Sequence, residues 1–145
     1  MFYSKNIARC IILILTTFVI LNTQEFDIEE YNKEKQSILN VVINSTEFDS
    51  VFSSKQVYFE ENELLTINTQ LVLSKGKCKV KIKTEEELIK MNKEYLVLGD
   101  FTMARTNPTH ARVQIEILPK YKLLNLSLEK KDSLWIIVNH LIMSE

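Results

Sequence analysis

The chain has 145 residues and a mass of 17.0 kDa, the size of one domain. Its 46% hydrophobic and 26% charged residues are ordinary globular composition, and a formal net charge of −1 points away from nucleic acid as a partner. Two Gly and two Pro exclude Gly-rich phosphate loops and Pro-rich ligand tracts, while two Cys and two His exclude a disulfide scaffold and a zinc finger.

Lys5 and Arg9 precede an uncharged run of 15 residues, Cys10 to Gln24. As a helix this run would span about 22 Å, short of a ~30 Å hydrocarbon core but matching the apolar region of a secretory signal. Residues 1–24 are therefore expected to be a signal peptide, with Leu21-Asn22-Thr23 as the best cleavage site. An uncleaved anchor and a buried N-terminal helix are the alternatives. Cys10 is a poor lipidation site, because Arg9 precedes it and the apolar stretch follows it. Residues 25–145 then make a single exported domain, periplasmic or extracellular, or membrane-anchored if the segment stays. Its lone cysteine, Cys78, is expected to be a buried small hydrophobe.

Without Lys5 and Arg9 the balance is 16 basic against 19 acidic residues. The charge is uneven: residues 27–63 hold nine acids and three lysines, and residues 75–83 hold five lysines and no acid.

Apolar residues at Ile28, Tyr31, Ile38, Leu39, Val42 and Ile43 recur at helical spacing, so Asp27 to Asn44 is predicted to be a helix. Phe48, Val51 and Phe52 suggest a short second helix over 47–53, followed by a short strand over 56–59. Leu64 to Leu73 alternates weakly and reads as a strand. After the Lys75-Gly76 turn, Lys77 to Lys83 alternates strictly and predicts one one-sided strand, with Cys78, Val80 and Ile82 opposite four lysines. Thr84 and Glu87 form a capping-box pattern opening a short helix over 85–92. Strands are predicted over 95–103, 110–118, 121–129 and 134–143, with Lys130 to Ser133 as a hairpin turn. The architecture expected is α+β: an N-terminal helix packed on one curved antiparallel sheet.

Residues 95–117 and 122–142 carry a strand, then an alternating strand through Ala111, Val113 and Ile115. Leu126, Leu128, Lys130 and Trp135 follow across a turn. This pattern, about a third of the chain, resembles the C-terminal half of NTF2-like or cystatin-like domains. The chain is also similar to small exported bacterial proteins of unassigned role. The resemblance implies a cone-like helix-on-sheet fold that hosts enzymes, binders and inhibitors alike.

Three functions follow as expectations. The first is a non-catalytic binding or protein-interaction module, without a cofactor, for a protein or small apolar ligand. The second is an NTF2-like enzyme, in which Asp100 beside Gly99, or His140, moves a proton inside a closed pocket. The third is an anion or envelope-surface binder using Lys77, Lys79, Lys81 and Lys83 as a positive stripe. The opposing reading of those lysines is a solvated face guarding an edge strand. Ligand spacing for a metal is absent. Trp135 to Met143 is apolar on both faces, which predicts burial on both sides and a homodimer through the sheet.

Overall fold

The structure is a computed structural model that describes residues 27–66 and 70–144; the expected signal segment lies outside these residues. Asp27 is the N-cap of helix α1, Ile28–Ile43, and its carboxylate accepts from the backbone N–H of Glu29 and Glu30 at 2.8 and 3.2 Å. The second half of the predicted apolar stripe is buried, with Ile38, Leu39, Val42 and Ile43 fully enclosed, whereas Tyr31 is half-buried and Ile28 is exposed. Ser45 caps the short helix α2, Thr46–Val51, with its hydroxyl accepting from Phe48 N–H at 3.1 Å.

Six strands form the main sheet, in the order β4-β1-β5-β6-β7-β8. They are β1 Tyr58–Glu60, β4 Lys81–Lys83, β5 Tyr95–Met103, β6 His110–Leu118, β7 Lys122–Lys131 and β8 Leu134–Ser144. From β5 onward every pair is antiparallel, giving the expected meander. The sheet is nevertheless mixed, because β1 runs parallel to both β4 and β5. The third helix, α3 (Glu85–Met91), carries the chain from β4 to β5 across β1, the kind of crossover a parallel arrangement needs. Its capping box is present as predicted, with Glu87 N–H donating to Thr84 and Thr84 N–H donating to Glu87. The β7–β8 hairpin turns on Asp132 and Ser133, both with positive φ, 48° and 66°, the signature of a tight type I′ turn.

The main core lies between α1, α2 and one face of the sheet, centred on Phe59, Leu96, Leu98, Ile115, Ile117, Leu124 and Leu126. A smaller cluster of Tyr58, Leu88 and Tyr95 sits on the opposite face, where α3 covers β1 and the start of β5.

Three local expectations are corrected. None of the described residues of the Leu64–Leu73 segment is a strand. Asn62 folds back the start of it, accepting from Leu64 and Leu65 N–H and donating to Leu98 C=O. Residues 72–76 spend their backbone groups on an amide ladder along α1. Val72 N–H donates to Gln36, Ser74 N–H to Asn40 and Gly76 N–H to Asn44, all at 2.8–3.0 Å. Asn40 and Asn44 also donate back to Val72 and Ser74 C=O. Val72 is thus satisfied by α1 side chains, while Ser74 bonds α1 on one side and, with Lys75, pairs with Lys79 and Cys78 on the other. Secondly, the lysine-rich run is two strands. Strand β3, Cys78–Lys79, pairs only with β2, Ser74–Lys75, and β4 belongs to the main sheet. At Val80 the chain passes from one partner to the other: Val80 N–H goes to Leu73 C=O on the β2 side and Lys81 N–H to Val57 C=O on the β1 side. Thirdly, Cys78 is half-buried rather than buried.

Candidate functional site

Side chains that face each other across paired strands share a face, so the register sorts the open half of the sheet. On the side away from α1, one row runs Thr102, Arg112, Ser127, Asn139, and the next Asp100, Gln114, Asn125, Leu141. A third runs Val97, Glu116, Leu123, Met143, and His110, Glu129 and Ile136 form a row at the far end. No helix or strand among the described residues covers these rows beyond α3. Three open depressions lie along them. The one of about 360 Å³ is polar in the middle, with Asp100, Arg112, Gln114 and Asn125 in its lining. One of about 330 Å³ is lined by Leu118, Tyr121, Leu123 and Met143 and is mostly apolar. The third, of about 350 Å³, holds Thr102, His110 and Arg112.

Two bulges set which residues reach this face. In β5 the register shifts at Gly99, between Leu98 and Asp100. In β8 it shifts at Val138, since Leu128 pairs with Ile137 but Ser127 pairs with Asn139. The shift reverses the alternation along the last strand. Trp135 and Ile137 face α1, and so do His140 and Ile142, because their partners Leu126 and Leu124 are core residues. Leu134, Ile136, Asn139, Leu141 and Met143 face outward. Uninterrupted alternation would put His140 opposite Trp135; the bulge puts them on one face.

By register the Asp100 and His140 side chains are therefore on opposite faces, although both residues border the depression of about 360 Å³. Asp100 is exposed, 3.4 Å from the Thr102 hydroxyl, in an open depression and not a closed pocket. His140 is exposed on the helix side, where its charge is among the influences that lower the Glu47 carboxyl; the hydrogen bond from Glu47's own backbone is the largest. Lysine alternates with more enclosed residues along the Lys77 to Lys83 run: Lys77, Lys79 and Lys81 are exposed, Val80 is buried, and Cys78, Ile82 and Lys83 are half-buried. Lys77 and Lys79 stand on the β2–β3 hairpin, Lys81 is exposed on β4, and Lys83 pairs with Glu87 at 3.0 Å. Lys75 turns inward, bonded to Asp49 at 2.7 Å and lying over Phe48 and Phe52. Among the described residues no cluster of His, Cys, Asp and Glu could hold a metal ion.

Sequence reasoning missed Glu60, whose carboxyl is raised by burial and by the neighbouring charges of Glu85 and Glu116. It lies beside Tyr95, whose phenol is raised by burial and then by Glu60. It also missed the nature of β8. Of that strand only Trp135 is buried, and Ile137 is half-buried. Leu134, Ile136, Val138, Leu141, Ile142 and Met143 are exposed, Leu134 at 69% and Leu141 at 56%. The expected burial on both faces is not seen among the described residues. The reason is that α1 crosses β8 only near the hairpin, where Glu34 accepts from Lys130 and from the Trp135 indole at 2.6 Å. Strand β8 pairs with β7 alone, so its other edge is free among the described residues. No helix among them is long and apolar enough to cross a membrane.

No protein-family model, curated protein or solved structure matches the chain.

Proposed function

We propose that the chain is an exported, non-catalytic binding and interaction module whose working surface is the open face and free edge of β5–β8. The observation that carries this reading is the last strand, with six large apolar side chains exposed on an edge that no described residue covers. Large apolar side chains gathered along one exposed strand, rather than scattered singly, mark interaction sites. The partner it suits is a protein or a small apolar ligand, the latter against Leu118, Tyr121, Leu123 and Met143. Catalysis is set aside because Asp100 and His140 are each exposed, Asp100 in an open depression. Export is supported by the charged start and apolar run of residues 5–24. The helix over the β5–β8 meander is read as an NTF2-like or cystatin-like cone, which the strand pattern from Ala111 to Trp135 supports.

The test is a photo-reactive phenylalanine analogue placed in the full-length chain, expressed in cells, at Ile136, Leu141 or Met143. Ile28 and Ile89 serve as controls, because they are at least as exposed (63% and 61%) but lie on helices and not on β8. Irradiation is expected to give discrete adducts from the β8 positions and none from the controls. Adducts equal at all positions, or absent from β8, would overturn the reading.

A further inference from the structure

The two ends of the main sheet are built differently. At one end stands β4, three residues long, carrying Lys81 and Lys83. Short length and lysine are the usual means of keeping an edge from pairing with another chain. At the other end stands β8, eleven residues from Leu134 to Ser144 without a single Asp, Glu, Lys, Arg or Pro. The device is used at one edge and withheld at the other. An edge left open in this way is a template for one more strand.

We propose that this strand comes from a second copy of the chain, with the Asn139–Ser144 segments of two copies pairing antiparallel about a two-fold axis. The proposal rests on the interaction reading above and names its partner. Three observations favour a copy over a foreign strand. A two-fold contact places a patch against itself, so it requires self-complementarity. Charged groups would meet their own kind across the axis, and this segment has none apart from His140. Secondly, the bulge at Val138 ends the regular part of the edge, leaving Asn139–Ser144 as an unbroken run. Within it the outward side chains are Asn139, Leu141 and Met143 and the helix-side ones His140 and Ile142. Antiparallel pairing centred on Leu141 sets Leu141 against Leu141 and Met143 against Asn139 on one face, and Ile142 against His140 on the other. Centred on Ile142, it sets Ile142 against itself and Leu141 against Met143. Either arrangement covers apolar groups on both faces, which is the pattern that a one-sided outer strand has no use for. Thirdly, the apolar depression reaches the edge at Met143 and Ser144. A copy laid along β8, about 4.8 Å away, adds a wall to it and joins the two six-stranded sheets into one.

The experiment uses the chain as purified from cells, with Cys10→Ser and Cys78→Ser removing its own thiols. Sedimentation is expected to give twice the 17.0 kDa chain mass, scaled for any cleaved segment. Leu141→Lys, at an exposed position, is expected to weaken dimerisation at least about tenfold. Ile89→Lys, on α3 and 61% exposed, leaves dimerisation unchanged, and circular dichroism checks that both variants fold. Leu141→Cys or Ile142→Cys is expected to join two copies through a short thiol cross-linker, since facing Cβ atoms in such a pair lie about 4.5–5.5 Å apart. Ile89→Cys is expected to give no linked pair. A chain that stays monomeric at all concentrations, or a dimer indifferent to Leu141→Lys, overturns the proposal. Monomers whose β8 cross-links to a different protein overturn the second copy and leave the interaction reading standing. Monomers with no adduct at β8 overturn both.

Discussion

Replacing Phe59 by Ala is expected to cost about 3–5 kcal/mol, the range for emptying a fully enclosed aromatic site. Phe59 is completely buried in the middle of β1, level with Ile82 of β4 and Leu96 of β5. Its ring belongs to the main core beneath α1, whereas Tyr58 next to it points the other way, into the cluster under α3. The loss would be a large share of the about 5–15 kcal/mol typical of a domain. Urea unfolding followed by Trp135 emission measures it. Phe59→Leu keeps most of the volume and should lose less than half as much. A change under about 0.5 kcal/mol for Phe59→Ala, the range of a surface substitution, would contradict the enclosure of Phe59 in the core.

Glu34 gives the second large effect. Its two carboxylate oxygens take Lys130 Nζ and Trp135 Nε1–H, which ties α1 to the β7–β8 hairpin. Lys130 lies over the Trp135 ring as well, at 5.8 Å. Glu34→Ala leaves a half-buried cation and an indole N–H without their acceptor, and about 2–3 kcal/mol of stability should be lost at neutral pH. The pH dependence carries its own sign. Burial pushes the Glu34 carboxyl up, but the hydrogen bonds from Lys130 and Trp135 and the Lys130 charge outweigh it, so the net shift is below 4.5. The unfolded chain therefore binds the proton more readily than the folded one. Glu34's contribution is complete above its unfolded pKa and disappears as pH falls through the lower folded value. Wild type and Glu34→Ala should differ most at neutral pH and converge in acid. A gap that stays constant with pH would mean that the carboxylate charge is not what holds the hairpin.

The periodic elements were legible because each has one dry side. The α1 stripe, the Thr84–Glu87 capping box and the 110–118 alternation all follow from local spacing, and all stand in the structure. The failures have a common cause, which is that backbone groups found partners the spacing does not announce. Residues 72–76 bond to side chains of α1. The signal was present, since Gln36, Asn40 and Asn44 recur every four residues and so line one side of the helix. It reads as a solvated face until something is there to be bonded. Lys35 misled in the same way. Sequence makes it one more charge on an acidic helix, yet it is buried over the Phe101 ring at 5.1 Å, donating to Leu64 C=O, with its pKa lowered by burial.

The site was legible in part. Double-sided apolarity in β8 was visible and pointed to a missing layer. Which residues share a face was not, because a bulge is a property of two strands, and the extra residue Val138 looks like any other apolar residue of the run. Asp100 beside Gly99 drew notice as chemistry, but Gly99 marks a register shift. A Cβ there would come within 3.0 Å of Gln114 Nε2, so the glycine leaves room for the side chains on the open face.

The central claim is that β8 is a free edge built to be covered from outside. Hydrogen exchange of the full chain, read by mass spectrometry in peptides spanning β4, β7 and β8, tests it most directly. Strand β7 is paired on both sides and should exchange slowly throughout. In dilute solution residues 139–144 should exchange much faster than β7, then slow markedly as concentration rises, while β4 stays unchanged. If residues 139–144 are as protected as β7 in the most dilute sample, the strand is covered by its own chain and the claim fails. If protection rises at β4 instead, the guarded edge is the one that pairs.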